Sequence, residues 1–242
     1  MAKSAAVKKL PEWDLSDFYA SPKDAKIEKD FQQLGKLCSA FVKIYEGKVA
    51  SLSGSSLARA IAEYEVIQEI FGKIGSYAGL LFAKNMANPI NAQFYQNTQE
   101  RITVLSSQIL FFGLSINKIP EDELKAKLVD KSLAKYASWL RDVRSFKPYQ
   151  LSDELEKLLH EKHVSGASAW IRLFDETITG LRFKIDGKNL TEPQAFDLLS
   201  SKNAATRKKA ALVIGKVFHE RAPLFALITN TLAKDKEIED KW

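Results

Sequence analysis

The chain has 242 residues, of which 45% are hydrophobic, 27% charged and 10% aromatic. That is enough apolar material for one large domain or two lobes around a sizeable core, and 11 Gly and 7 Pro are too few for long disordered tracts. The net charge is +6, but 30 acidic residues accompany the 36 basic ones, which argues for a mixed solvated surface rather than a dedicated nucleic-acid face.

The single cysteine, Cys38, excludes an intramolecular disulfide and fits a reducing compartment. Lys3, Lys8 and Lys9 have no apolar run after them, so the start does not read as a secretory signal. No stretch reaches the roughly 18 apolar residues of a membrane span. These features predict a soluble, cytoplasmic protein with no membrane partner.

Residues 1–9 read as a basic tail. In the aromatic and acidic segment LPEWDLSDFY, Leu10 to Tyr19, the rings of Trp13, Phe18 and Tyr19 are expected to anchor it to the body. Ser21 and Pro22 open a helix, with Ser21 as cap and Asp24 near its positive end. Its apolar stripe is Ile27, Phe31, Leu34, Leu37, Phe41 and Ile44, and Gly47 closes it. Cys38, beside Leu37 and Phe41, reads as a small buried hydrophobe rather than a nucleophile.

Ser53-Gly54-Ser55 links to a second long helix with a buried face of Leu57, Ile61, Tyr64, Ile67, Phe71, Ile74, Ala78 and Leu81. Gly72, Gly75 and Gly79 lie inside it, each costing about 1 kcal/mol of helix propensity relative to Ala. They predict a close helix crossing or a local break. A phosphate loop is a poor reading, since no strand precedes them and no Lys-Ser/Thr follows. Asn88-Pro89 opens a third helix to about Leu114, and short loops predict that the three pack antiparallel. Shorter helices follow at about Glu121–Val129 and Lys131–Val143. Arg141, Arg144 and Lys147 read as charges that complement a helix C-terminus.

Ser152 caps the next helix, with Leu155, Leu158 and Leu159 as its buried stripe. Ser165-Gly166 ends it and starts another, whose face is Trp170, Leu173, Phe174 and Ile178 and whose stop is Gly180. Leu181, Phe183 and Ile185 alternate with Arg182, Lys184 and Asp186 in a half-buried strand. Asp186-Gly187 is a tight-turn pair, and the return strand is brief because Thr191, Pro193 and Gln194 form a capping box. A last helical pattern runs from Asn203 to Lys241, with Ala210, Val213, Val217, Leu224, Leu227, Ile228, Thr231 and Leu232 on its apolar face. Pro223 is expected to kink or split it. No stop signal precedes Trp242, so the helix reads as cut off, with an apolar face left for a partner or for self-association.

Candidate chemistry is sparse. His160 and His163 in HEKH share a helix face, with Glu156 four residues before His160. Metallopeptidase helices instead carry His-Glu-x-x-His, and the residue four after His160 is Val164. His219 is the one other histidine, so no third ligand is near in sequence and no metal ligand is assigned. Ser165-Gly166-Ala167-Ser168 lacks the Gly-x-Ser-x-Gly elbow, and Ser165 reads as an N-cap. Asp175 and Glu176 are adjacent on a helix, about 100° apart, and cannot easily share a substrate atom. Phe183 within basic residues reads as packed, not as a base-stacking ring. Arg207, Lys208 and Lys209 form the clearest basic cluster. Catalytic and metal residues are therefore none, and substrate-binding residues unknown.

The segment SGASAWIRLFDETITGLRFKIDGK resembles the oligoendopeptidase F branch of the thimet-oligopeptidase-like zinc metallopeptidases, in its N-terminal region. The opening LPEWDLSDFY is similar to that family's N-terminal segment, and AATRKKA, Asn230-Thr-Leu, Lys234 and a closing IEDKW follow in the family's order. The resemblance implies a mostly helical clamshell whose channel admits oligopeptides, with one zinc held by His-Glu-x-x-His and a downstream glutamate. This chain contains no such motif, so no zinc or catalytic residue carries over to it.

The expectation is a mainly α protein: an antiparallel helical bundle, one short β-hairpin near 181–190 and a long, Pro-kinked C-terminal helix. It divides into an N-terminal extension (1–20), a helical domain with hairpin (21–190) and the first helices of a catalytic domain (191–242). The implied function is that of an N-terminal region of a zinc metalloendopeptidase, walling the oligopeptide channel and inactive alone, with zinc in the full-length protein and the C-terminal catalytic region as its partner. The alternative is a non-enzymatic helical module binding an acidic partner or nucleic acid through a basic surface.

Overall fold

The computed structural model describes residues 12–242, and the tail 1–9 with Leu10 and Pro11 lies outside them. Helices α1 (Ala25–Tyr45), α2 (Gly54–Lys84) and α3 (Pro89–Ile109) pack on one another as an antiparallel bundle. Short helices α4 (Phe111–Lys118), α5 (Glu121–Lys127), α6 (Lys131–Ala134) and α7 (Ala137–Arg144) cover the end where α2 begins. Then come α8 (Asp153–Lys162), α9 (Ala167–Gly180), the hairpin β1 (Phe183–Ile185) and β2 (Lys188–Leu190), α10 (Glu192–Asp197) and α11 (Ala204–Glu239).

Short polar side chains start most of these helices. Ser53, Asn88, Ser152 and Asn203 each accept a hydrogen bond from a backbone N–H of the first turn. Ser21 does not cap α1. Asp24 does, its carboxylate accepting from Lys26 N at 2.9 Å and from Ala20 N at 3.0 Å. One charged group thus ties the helix start to the preceding turn and also meets the positive helix end.

The buried stripe of α1 is Ile27, Phe31, Leu34, Cys38, Phe41 and Tyr45. Cys38 is fully buried, which pushes its thiol up to about 11 and leaves it inert. Ile44 is half exposed instead, because the four-residue step from Phe41 puts Tyr45 beneath that ring at 4.8 Å. Tyr19 is buried against Tyr77 and donates to Asp30 at 2.6 Å, while Lys73 donates to the same carboxylate oxygen at 2.9 Å. That contact pins the entering segment to the bundle. Phe18 packs beside it, but Trp13 is 57% exposed and does not anchor its ring.

The third helix ends earlier than expected. Leu110 keeps helical angles, but Leu114 N reaches Leu110 O only at 3.5 Å, and α4 begins at Phe111. The second of the two short helices is likewise divided, into α6 and α7. Arg144 is not a solvated end charge. Its side chain is 9% exposed and donates from Nη1 to the carbonyls of Ile116 (2.7 Å) and Ile119 (2.9 Å), with Nη2 to Glu121. It satisfies the end of α4 from another helix.

A second hydrophobic cluster gathers Leu181, Phe183 and Ile185 with Ala195, Ala210 and Ile214. The hairpin turns at Asp186 (φ 51°) and Gly187 (φ 78°), both in the left-handed region that a two-residue turn demands. Thr191 and Gln194 close the capping box of α10. α11 runs unbroken across Pro223, so the helix does not split there, although proline removes the bond to the His219 carbonyl. Among the described residues no single helix is long and apolar enough to cross a membrane.

Candidate functional site

The HEKH stretch lies at the end of α8. His160 Nε2 is 2.8 Å from Ser106 Oγ of α3, and Ser107 Oγ donates to Glu161 at 2.6 Å. Glu156 accepts from Leu151 N at 2.8 Å, so it is committed to the helix start. His163 and His219 are exposed. Among the described residues no three His, Cys, Asp or Glu side chains converge to hold a metal, so these residues do not fit a catalytic zinc. His160 is a docking contact; burial holds its imidazole below the ordinary range.

The polar edge of α8 faces the body. Lys118 pairs with Asp153 at 2.6 Å, and residues 153, 157, 160 and 161 recur at helical spacing on that side. The leucines expected to be buried, Leu155, Leu158 and Leu159, point outward and are 37%, 50% and 39% exposed. The face that meets the body is the polar one, through Ser106, Ser107 and Lys118.

Ser165 does not cap α9. Gly166 occupies the cap position, and Ser165 Oγ donates back to Lys162 O. No residue of α9 is fully buried, and Leu173, expected inside, is exposed. α9 bridges the two parts of the fold. Phe174 meets Phe225 of α11 at 5.5 Å, and Thr179 Oγ1 lies 3.3 Å from Met86 Sδ just after α2.

Between α9 and the α2–α3 pair lies a groove of about 240 Å³. Phe82 and Tyr95, stacked at 5.0 Å and 4°, form part of one wall with Gly79, and Ser168, Arg172 and Asp175 lie on the α9 side. Asp175 and Glu176 diverge as their spacing demands: Asp175 lines the groove, whereas Glu176 lies 3.8 Å from Arg172. Sequence reasoning missed the groove, since its walls come from residues 79 to 175. Its one local signal is a glycine in the middle of a helix.

Gly72, Gly75 and Gly79 do not break α2. Only Gly75 approaches another helix, where an added Cβ would lie 3.6 Å from Ile102; at Gly72 and Gly79 nothing lies within 4 Å. The basic cluster is largely engaged. Arg207 donates to the carbonyls of Ser201 and Lys202, Lys209 pairs with Asp186, and Arg141 pairs with its neighbour Asp142. Lys147, Lys202 and Lys208 remain exposed on these segments.

Residues 115–183 match the N-terminal M3 peptidase family model described as oligopeptidase F. In space the chain is similar to oligoendopeptidase-F from Enterococcus faecium, with a TM-score of 0.78, 16% identity, and coverage of 89% of this chain and 42% of that one. It is also similar to a putative peptidase from Chlamydophila abortus, with a TM-score of 0.53, 17% identity, and coverage of 95% of this chain and 39% of that one. At such identities these two likenesses speak for the fold alone. No curated protein matches the sequence significantly. The chain thus resembles the oligoendopeptidase F branch in its N-terminal region and spans well under half the length of the solved structures it matches.

Proposed function

We propose that this chain is the N-terminal region of a cytoplasmic, zinc-dependent metalloendopeptidase of oligopeptides, and that it walls the substrate channel rather than carrying the chemistry. The observation that carries the reading is the family match across residues 115–183, which falls on α4 to β1. In this reading 1–20 is an extension, 21–190 the helical domain, and 191–242 the first helices of the catalytic domain.

The zinc and its activated water belong to residues outside these 242, which contain no His-Glu-x-x-His. The outward leucines of α8, with Leu173, Leu212 and Leu227, supply apolar surface for packing against that catalytic region. An internally quenched oligopeptide incubated with the 242-residue chain and zinc tests the proposal, the expected result being no chelator-sensitive cleavage. Robust cleavage by the chain alone overturns its assignment as a wall. A longer reading frame without His-Glu-x-x-His overturns the peptidase assignment itself.

A further inference from the structure

The groove between α2, α3 and α9 holds two opposite charges that do not neutralise each other. Asp175 and Arg172 both line it, three residues apart on α9, so their side chains rise side by side. No ion pair joins them within 4.0 Å, and Asp175 has no hydrogen-bond or ion-pair partner among the described residues. Arg172 reaches only Glu176, at 3.8 Å and through Nε, which leaves its terminal nitrogens open. Burial pushes the Asp175 carboxyl above its usual range. Asp175 is only partly buried, so its carboxylate keeps some solvent, and a ligand cation would supply the partner it lacks.

The remaining walls are apolar and aromatic, with Phe82, Met86, Tyr95 and Ile171. The volume of about 240 Å³ lies below the roughly 300–1,000 Å³ typical of sites for drug-sized ligands, so one residue or a very short peptide is the size that fits. Gly79 lines the groove on the α2 side. It sits inside α2, where glycine costs about 1 kcal/mol against alanine, yet no tertiary neighbour requires it: an added Cβ would find open space. What a side chain there would fill is the groove itself.

We propose that this groove binds a small apolar zwitterion, a free amino acid or a dipeptide, with its ammonium on Asp175, its carboxylate on Arg172 and its side chain among Phe82, Met86 and Tyr95. The site stands independently of the peptidase assignment, because it uses only residues of this chain.

Calorimetric titration of the 242-residue protein with L-leucine, L-leucyl-L-leucine, Nα-acetyl-L-leucine and L-leucinamide tests it. Leucine or the dipeptide should bind, and blocking either end should weaken binding at least about 10-fold, the loss of one charged contact. Tighter binding of leucine identifies the free amino acid as ligand, and tighter binding of leucyl-leucine the dipeptide. Asp175→Asn should abolish the preference for a free ammonium, and Arg172→Gln the preference for a free carboxylate. Gly79→Leu should fill the groove and remove binding, whereas Gly72→Leu, the same change on the same helix outside the groove, should not. Thermal melts of all variants separate loss of binding from loss of fold. No binding at about 10 mM ligand, equal binding of the blocked compounds, or unchanged binding by a folded Gly79→Leu variant overturns the proposal.

Discussion

Arg144 and His160 show how single polar side chains hold separate helices in place. Arg144→Met removes the donors to the Ile116 and Ile119 carbonyls at the end of α4 and leaves those groups without their partner. The expected loss is about 2–3 kcal/mol by urea unfolding, with Arg141→Ala, an exposed side chain paired only to its neighbour, within about 0.5 kcal/mol of the parent. His160 gives a pH dependence of known sign. Burial lowers its pKa in the folded chain below the ordinary 6.5, so the unfolded chain binds the proton more readily. Stability from this group is therefore present above 6.5 and falls as the pH drops from there through the folded value. Unfolding curves between pH 5 and 8 should show that slope, and His160→Gln should remove it.

The helices are set by caps and by which face meets a neighbour, and glycine substitutions separate the two effects. Gly72 is exposed inside α2 with nothing near its would-be Cβ, so Gly72→Ala should stabilise by about 0.5–1 kcal/mol. Gly54 begins the same helix, but an added Cβ would lie 2.5 Å from the Lys127 carbonyl and 2.7 Å from Asp130 Cβ. Gly54→Ala should therefore destabilise by about 1–3 kcal/mol, by overpacking. Paired thermal melts check both signs. The helix starts at Asn88 and Ser152 and the Asp186-Gly187 turn are legible in the sequence because each acts within a few residues, whereas Ser53 reads there as part of a linker. The inward face of α8 is not legible, because it meets Ser106, Ser107 and Lys118, more than thirty residues away.

Across the whole molecule, two hydrophobic clusters divide the work. One is built from α1 to α7 with Tyr19; the other joins the hairpin to α10 and α11. Phe183 is fully buried in the second cluster, beside Phe218 at 6.1 Å. Phe183→Ala should cost about 3–5 kcal/mol and loosen the segment 181–217 selectively. Hydrogen exchange should then rise there while amides of α1 and α2 stay protected. Equal deprotection of both clusters would mean that they unfold as one unit. The sequence by itself determined the mainly helical class, the hairpin and its turn and the burial of Cys38, since these depend on periodicity, turn chemistry and composition. The tertiary structure alone decided that Arg144 is buried at a helix end, that α8 turns its leucines outward, and that Gly79 and Asp175 share a groove. Those outcomes depend on which groups from distant segments meet, and no local pattern encodes that.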